Sequence, residues 1–171
     1  MSPESNAQYQ DIALQIESIH KTDQELRLQG HFDTTLDAEN SAKIKAIYEQ
    51  IGFPTISKVG TSASHHFFTI LQHSPDIEFK KAVLRDMYEL SVEEVNKKDV
   101  GYLDDRIRLA EGQKQRYGTQ LAFNEEKQTY EVVDLEDPES VNTRRAELGM
   151  DTVEEYIEFA NKRRKEVFGK K

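Results

Sequence analysis

Residues 101–120, GYLDDRIRLAEGQKQRYGTQ, decide how the chain is read. The first half carries an apolar helical stripe of Leu103, Ile107 and Ala110 that takes in Arg106, with Asp99 on the same face, Tyr102 at its edge and Asp105 toward the flank. Gly112 stops that helix, and the polar segment 115–120 has the alternation of a strand. A guanidinium buried without a partner is strongly unfavourable. Arg106 is therefore expected to pair with a carboxylate such as Asp23 or Asp99, to meet a side chain of 115–120, or to line a cavity that a ligand fills.

Downstream, RYGTQLAF and QTYEVVDL flank the polar residues 124–127 and predict an antiparallel hairpin within 116–135. Tyr117, Thr119, Leu121 and Phe123 share one face of its first strand and Gln120 takes the other, so polar groups gather at the end nearest Arg106. Asp137 and Pro138 open a short helix in which Arg144 and Arg145 flank Val141 and Leu148, and Gly149 closes it. Asp151 and Glu154 are placed to cap a last helix with Val153, Tyr156, Ile157, Ala160, Val167 and Phe168 inward. Its basic end, KRRKEVFGKK, complements a helix dipole.

Upstream, Tyr9, Ile12, Ile16, Ile19 and Leu26 mark a helix over 8–29 whose stripe takes in Asp23. Arg27, one turn later, either pairs with Asp23 internally or forms a surface ion pair. A second helix starts near Asp37, carries Ile44, Ile47, Tyr48 and Ile51, and ends at Gly52 and Pro54. Asp37 reads as its N-cap, and Asn40 faces inward. After Gly60, residues 62–73 divide into an apolar side (Ala63, Phe67, Phe68, Ile70, Leu71) and a polar side (Ser62, His65, His66, Thr69, Gln72, His73). His66 and His73 stand roughly 10 Å apart along such a helix, and no histidine pair has i, i+4 spacing, so no metal is expected. Ser74 and Pro75 read as N-cap and N1 of a helix bearing Phe79, Val83, Met87 and Leu90, and Ser91 with Glu94 as a capping box for a following helix that also buries Val92 and Val95.

Composition bounds the rest. A chain of 171 residues suits one domain, 1–171, mainly helical, with six or seven helices and the one hairpin, and with 1–7 and 169–171 disordered. Its 23 basic and 32 acidic residues give a net charge of -9, which disfavours nucleic acid and anionic membranes as partners. The absence of cysteine excludes disulfides, thiolate nucleophiles and Cys-bound metal. The N-terminus lacks the basic start and apolar run of a leader, and no apolar stretch is long enough to span a bilayer, so a cytoplasmic location is expected. No phosphate-binding glycine loop or other cofactor motif is present, and no cofactor is expected.

The chain resembles an uncharacterised family of small bacterial proteins known only as a domain of unknown function. The match runs from Asp23 to Tyr156 through Asp23-Gln24-x-x-Arg27, Asp37-x-x-Asn40, Gly52-x-Pro54, Gln72-His73, Tyr102-Leu103-x-Asp105-Arg106, Gln115-x-Tyr117-Gly118-Thr119-Gln120, Arg144-Arg145 and Leu148-Gly149. Phe53, where many members carry Trp, is a departure that leaves the polar set intact. The resemblance implies no activity. It implies that the inward polar residues form one set, as the periodicity of Asp23, Asn40 and Arg106 suggests.

Three functions fit that set. Arg27, Arg106, Arg144 and Arg145 with Gln24, Asn40, Gln72, Asp105, Gln115, Tyr117, Thr119 and Gln120 have the donors to hold a small anion, phosphorylated or nucleotide-like. With His73 or His66 as general acid or base and Asp23 orienting a group or a water, the same pocket would be a hydrolase or transferase. Without turnover it would be a metabolite-binding protein. Alternatively the polar residues are a buried network and the function lies on the surface, as in an adaptor whose protein partner the sequence does not name.

Overall fold

The computed structural model describes residues 3–30 and 34–168, so the segment 1–2 and the tail 169–171, both expected to be disordered, lie outside the described residues. The chain forms helices α1 (Pro3–Leu28), α2 (Thr34–Ile51), α3 (Ile56–His73), α4 (Ile77–Glu89) and α5 (Lys97–Ala110), strands β1 (Leu121–Asn124) and β2 (Thr129–Val132), a 3-10 turn (Pro138–Ser140), and helices α6 (Val141–Glu147) and α7 (Val153–Phe168). This is the mainly helical architecture with one hairpin that the periodicities predict. It resolves into two compact units, Met1–Asp99 and Val100–Lys171.

In the first unit α3 is the centre, because its sequence supplies a broad apolar side. Val59, Ala63, Phe67, Phe68, Ile70 and Leu71 are all buried. They meet α1 and α2, where Ile12 and Ile16, and Ile44 and Ile47, are buried too; Phe79, Val83 and Met87 of α4 are also buried. Phe53, at the position noted as a departure, packs edge-on against Phe67 with ring centroids 5.9 Å apart. Gly60 breaks α3 at φ 84, ψ 162, a conformation that a side chain strains, and regular helix begins again after it.

Several expected helix boundaries move. The first helix starts at Pro3, not at 8, and α2 starts at Thr34, so Asp37 is in its first turn and is not its cap. Asp76, not Ser74, caps α4 by accepting Phe79 N–H at 2.9 Å, while Ser74 Oγ accepts from Asp76 N–H and meets Ser41 Oγ. Ser91 and Glu94 cap no helix. Residues 91–95 form a turn, Val92 is exposed, and Glu94 accepts from Ser57 N–H and Oγ.

In the second unit Leu121 pairs with Val132 and Asn124 with Thr129 in an antiparallel register. The turn is 125–128, one residue later than expected. Residues 116–120 are not strand. They wrap around a single carboxylate, described below, because three N–H groups turn toward it instead of toward a neighbouring strand. The final helix is capped by Thr152 and Glu155, one residue beyond the expected pair: Thr152 N–H donates to Glu155 Oε2 at 2.9 Å and Glu155 N–H returns to Thr152 Oγ1 at 3.3 Å. Val153 is buried with Tyr156, Ile157 and Ala160 half-buried; the side chains of Val167 and Phe168 lie outside the described residues.

Candidate functional site

The predicted site residues separate by unit. Asp23, Gln24, Arg27, Asn40, His66, Gln72 and His73 belong to the first, and Asp105, Arg106, Gln115, Tyr117, Thr119, Gln120, Arg144 and Arg145 to the second.

In the second unit the organising group is Asp105, which the periodicity sets on the flank, and not Arg106. Asp105 is fully buried and accepts four hydrogen bonds: Arg116 N–H at 2.7 Å, Tyr117 N–H at 3.0 Å, Thr119 N–H at 2.8 Å and Thr119 Oγ1 at 2.9 Å. Gln120 Nε2 donates to the same Thr119 hydroxyl at 2.9 Å. Gln115, also fully buried, donates through Nε2 to the carbonyls of Gln120 and Val133, and its Oε1 accepts Gln120 N–H at 2.8 Å. Arg145 is 2 % exposed, and its guanidinium donates to the carbonyls of Asp151 at 2.6 Å and Tyr117 at 2.7 Å over the Tyr156 ring. Arg144 donates to the carbonyls of Arg116, Glu136 and Asp137. Arg106 is half-buried instead of enclosed, and burial holds its guanidinium below the usual range against the opposing pull of Tyr156 and Tyr102. These donors and acceptors satisfy the loop that joins α5 to β1.

In the first unit Asp23 is 1 % exposed on α1. Arg27 holds it through Nε at 2.8 Å and Nη2 at 3.0 Å, Gln24 Nε2 donates at 2.9 Å and Asn40 Nδ2 at 3.1 Å. Arg27 also pairs with Asp37, the residue expected to cap α2. The Asp23–Arg27 pair is thus internal, and it ties α1 to the first turn of α2. Burial pushes the Asp23 carboxyl up, yet the Arg27 and Gln24 bonds outweigh it and hold the group below its usual range. The charge of His73 adds to that lowering, which brings the expected Asp23 and His73 into one electrostatic neighbourhood. Gln72 and His73 are both half-buried at the end of α3.

His65 is exposed and His66 half-buried, and both have partners. His66 Nδ1 bonds Glu17 Oε2 at 2.7 Å, and His20 stacks on His66 with centroids 3.7 Å apart and planes 7° from parallel. Glu17 also takes a bond from Ser62, and these bonds outweigh the upward push of its burial and hold its carboxyl low. Burial, then the neighbouring His66, lowers the His20 imidazole. His65 Nδ1 bonds Asp99 Oδ2 at 2.9 Å, and Asn96 Nδ2 steadies the other oxygen of Asp99 at 3.0 Å. That hydrogen bond raises the His65 imidazole, and burial raises Asp99, so the pair retains its proton to higher pH than either group would alone. The His65 and His66 rings are 6.4 Å apart, and both line a groove of about 330 Å³ with Thr61, Ser62, Ser64 and Asn96.

Glu17 and His20 escape sequence reading because nothing local points from one turn of α1 to one turn of α3. His65 and Asp99 are each legible as notable residues, on a polar and an inward face, but their meeting is not. Among the described residues no group of three or more His, Asp and Glu is placed to hold a metal ion, and no helix is long and apolar enough to cross a membrane. No curated protein and no solved structure matches the chain. A family model matches residues 7–167, nearly the whole chain, and the protein therefore belongs to a family of unknown function, DUF6624.

Proposed function

We propose that the first unit carries an acid–base site acting on a small, polar, anion-bearing substrate, with hydrolysis as the reaction class. The observation that carries the reading is the pair of neighbouring imidazoles, each held through Nδ1 by its own carboxylate and both lining one groove. A histidine fixed this way has one tautomer and presents Nε2 to a ligand.

The two differ in a useful sense. His65, raised by Asp99, is assigned as the acid, while His66, whose Nδ1 is engaged by Glu17, turns Nε2 to the ligand and is assigned as the base. His66 takes a proton from water, the hydroxide oxygen bonds to the electrophilic centre, the bond to the leaving group breaks, and His65 gives that group its proton. Ser62 is turned toward Glu17, not toward His66, so water is the nucleophile in this scheme. This keeps His66 in the acid–base role, puts His65 there in place of His73, and gives the orienting role expected of Asp23 to Asp99, Asn96 and Glu17.

A panel of phosphomonoesters, carboxylate esters and amides, assayed from pH 5 to 9, tests it. Turnover that disappears in His65→Gln and His66→Gln, each folded by its amide spectrum, is expected; a flat panel, or turnover indifferent to both changes, sinks it. A second reading attaches to the residues first expected to form the pocket. The enclosed networks around Asp23 and Asp105 support a structural role for Gln24, Arg27, Asn40, Gln115, Thr119, Gln120, Arg144 and Arg145.

A further inference from the structure

Ser64 has no evident purpose in the packing of α3. It is 4 % exposed, it lines the groove with His65 and His66, and among the described residues nothing hydrogen-bonds its hydroxyl. A ligand in the groove would supply that hydroxyl with the bond that the protein does not. The backbone beside it is equally open to a ligand. Gly60 interrupts α3 at φ 84, ψ 162, and helical backbone resumes after it, so the N–H groups of Thr61 and Ser62 stand where a helical run begins. Such N–H groups favour a negative oxygen. Next along the helix stands the His65 imidazole, a third donor.

We propose that this end of the groove is a seat for a compact oxyanion, a phosphate or a carboxylate, gripped by Ser64 Oγ, the N–H groups of Thr61 and Ser62, and His65. The seat rests on the acid–base reading and adds to it the part of the substrate that the site recognises: an acidic group adjoining the bond to be cleaved. Three arms of the surroundings set its strength. Asp99, steadied by Asn96, holds His65 in place, and its hydrogen bond raises the imidazole. Glu17, joined to Ser62 and His66, opposes a second negative charge, and His20 lies beyond, stacked on His66. Binding of a free anion is therefore modest, and it weakens as pH rises and His65 loses its proton.

The test is an amide NMR titration of the whole chain with inorganic phosphate at pH 6, against sodium chloride at matched ionic strength. Saturable shifts at Thr61, Ser62 and Ser64 are expected. Ser64→Ala, which removes one oxygen and leaves the packing intact, should weaken binding at least about tenfold, and His65→Gln similarly. Glu17→Gln should tighten it severalfold, the reverse of what loss of structure would do. Shifts that chloride reproduces, or that Ser64→Ala leaves unchanged, overturn the seat. Imidazole nitrogen spectra of the same protein brought to about pH 9, where tautomers can be read, judge the underlying reading separately. If His65 and His66 each show one fixed tautomer the acid–base arrangement stands even when phosphate fails to bind, and if both average between tautomers it falls whatever phosphate does.

Discussion

Replacing Asp105 by Ala should be the most damaging single polar change in the second unit. The carboxylate accepts Arg116, Tyr117 and Thr119 N–H and the Thr119 hydroxyl, and the Tyr117 and Thr119 bonds are fully enclosed. Truncation leaves those N–H groups facing a small cavity. A buried donor without a partner costs about 1–3 kcal/mol, so the two enclosed N–H groups set a scale of about 2–6 kcal/mol. The Thr119 hydroxyl can rotate toward another acceptor, and no carboxylate now has to be desolvated, which places the expected loss at about 3–5 kcal/mol. Asp105→Asn should not rescue it, because its NH2 would meet N–H groups where the second oxygen accepted. Arg106→Ala, in a half-buried neighbour, should cost about 1 kcal/mol. Urea unfolding gives the totals, and native-state hydrogen exchange reads the Arg116, Tyr117 and Thr119 amides directly. An Asp105→Ala protein within about 1 kcal/mol of wild type, with those three amides still slow, would refute the reasoning.

The helices were legible because each carries a sustained apolar period, and the five apolar residues that periodicity names on α3 are all buried, joined by Val59 and Ser64, which it does not name. Caps were less so. Ser74, Ser91 and Asp151 all have the chemistry of a cap, yet Asp76 and Thr152 do the work and Ser91 caps nothing, since a capping residue one or two positions away is equally good locally. The polar centre of the second unit was misjudged by one residue. Arg106 lies in the apolar stripe of α5, but a helix face is about 100° wide, and Asp105 at its border is drawn in by the loop that follows. The loop itself read as strand because alternation of side chains is common to both; what differs is where the N–H groups go, and that depends on a carboxylate twelve residues earlier. The internal Asp23–Arg27 pair was one of two readings left open by spacing, and Asn40 from α2 is what makes it internal. The Glu17, His20 and His66 cluster joins α1 to α3 across 49 positions, a pairing that periodicity does not encode.

Breaking the Asp23–Arg27 pair by Arg27→Met should destabilise the first unit by about 3–5 kcal/mol, since it strands a carboxylate that is 1 % exposed; the double change Asp23→Asn with Arg27→Met should recover part of that loss in urea unfolding. Arg145→Lys should cost about 2–3 kcal/mol, because an ammonium cannot donate from one plane to the carbonyls of Asp151 and Tyr117, and loosened exchange at Met150 and Tyr117 would report it. Ala substituted at Gly60 should cost about 1 kcal/mol or more, as nothing crowds its Cβ and the loss comes from φ 84 alone, so thermal unfolding should show a shift without a packing defect. The last expectation concerns pH. The His65 imidazole is raised in the folded chain by its bond to Asp99, so its contribution is complete below the unfolded value of 6.5 and is lost as pH rises through the raised folded value. Burial raises Asp99 as well, and a carboxyl that holds its proton more tightly when folded has the same sign: stability declines with increasing pH. Urea midpoints should therefore fall between about pH 6 and 8 in wild type, and the fall should flatten in His65→Gln, whose amide keeps a bond to Asp99 without titrating. His66, His20 and Glu17 remain in both proteins, so the difference between the two curves belongs to the His65–Asp99 pair, and parallel curves would show that the pair is not linked to folding.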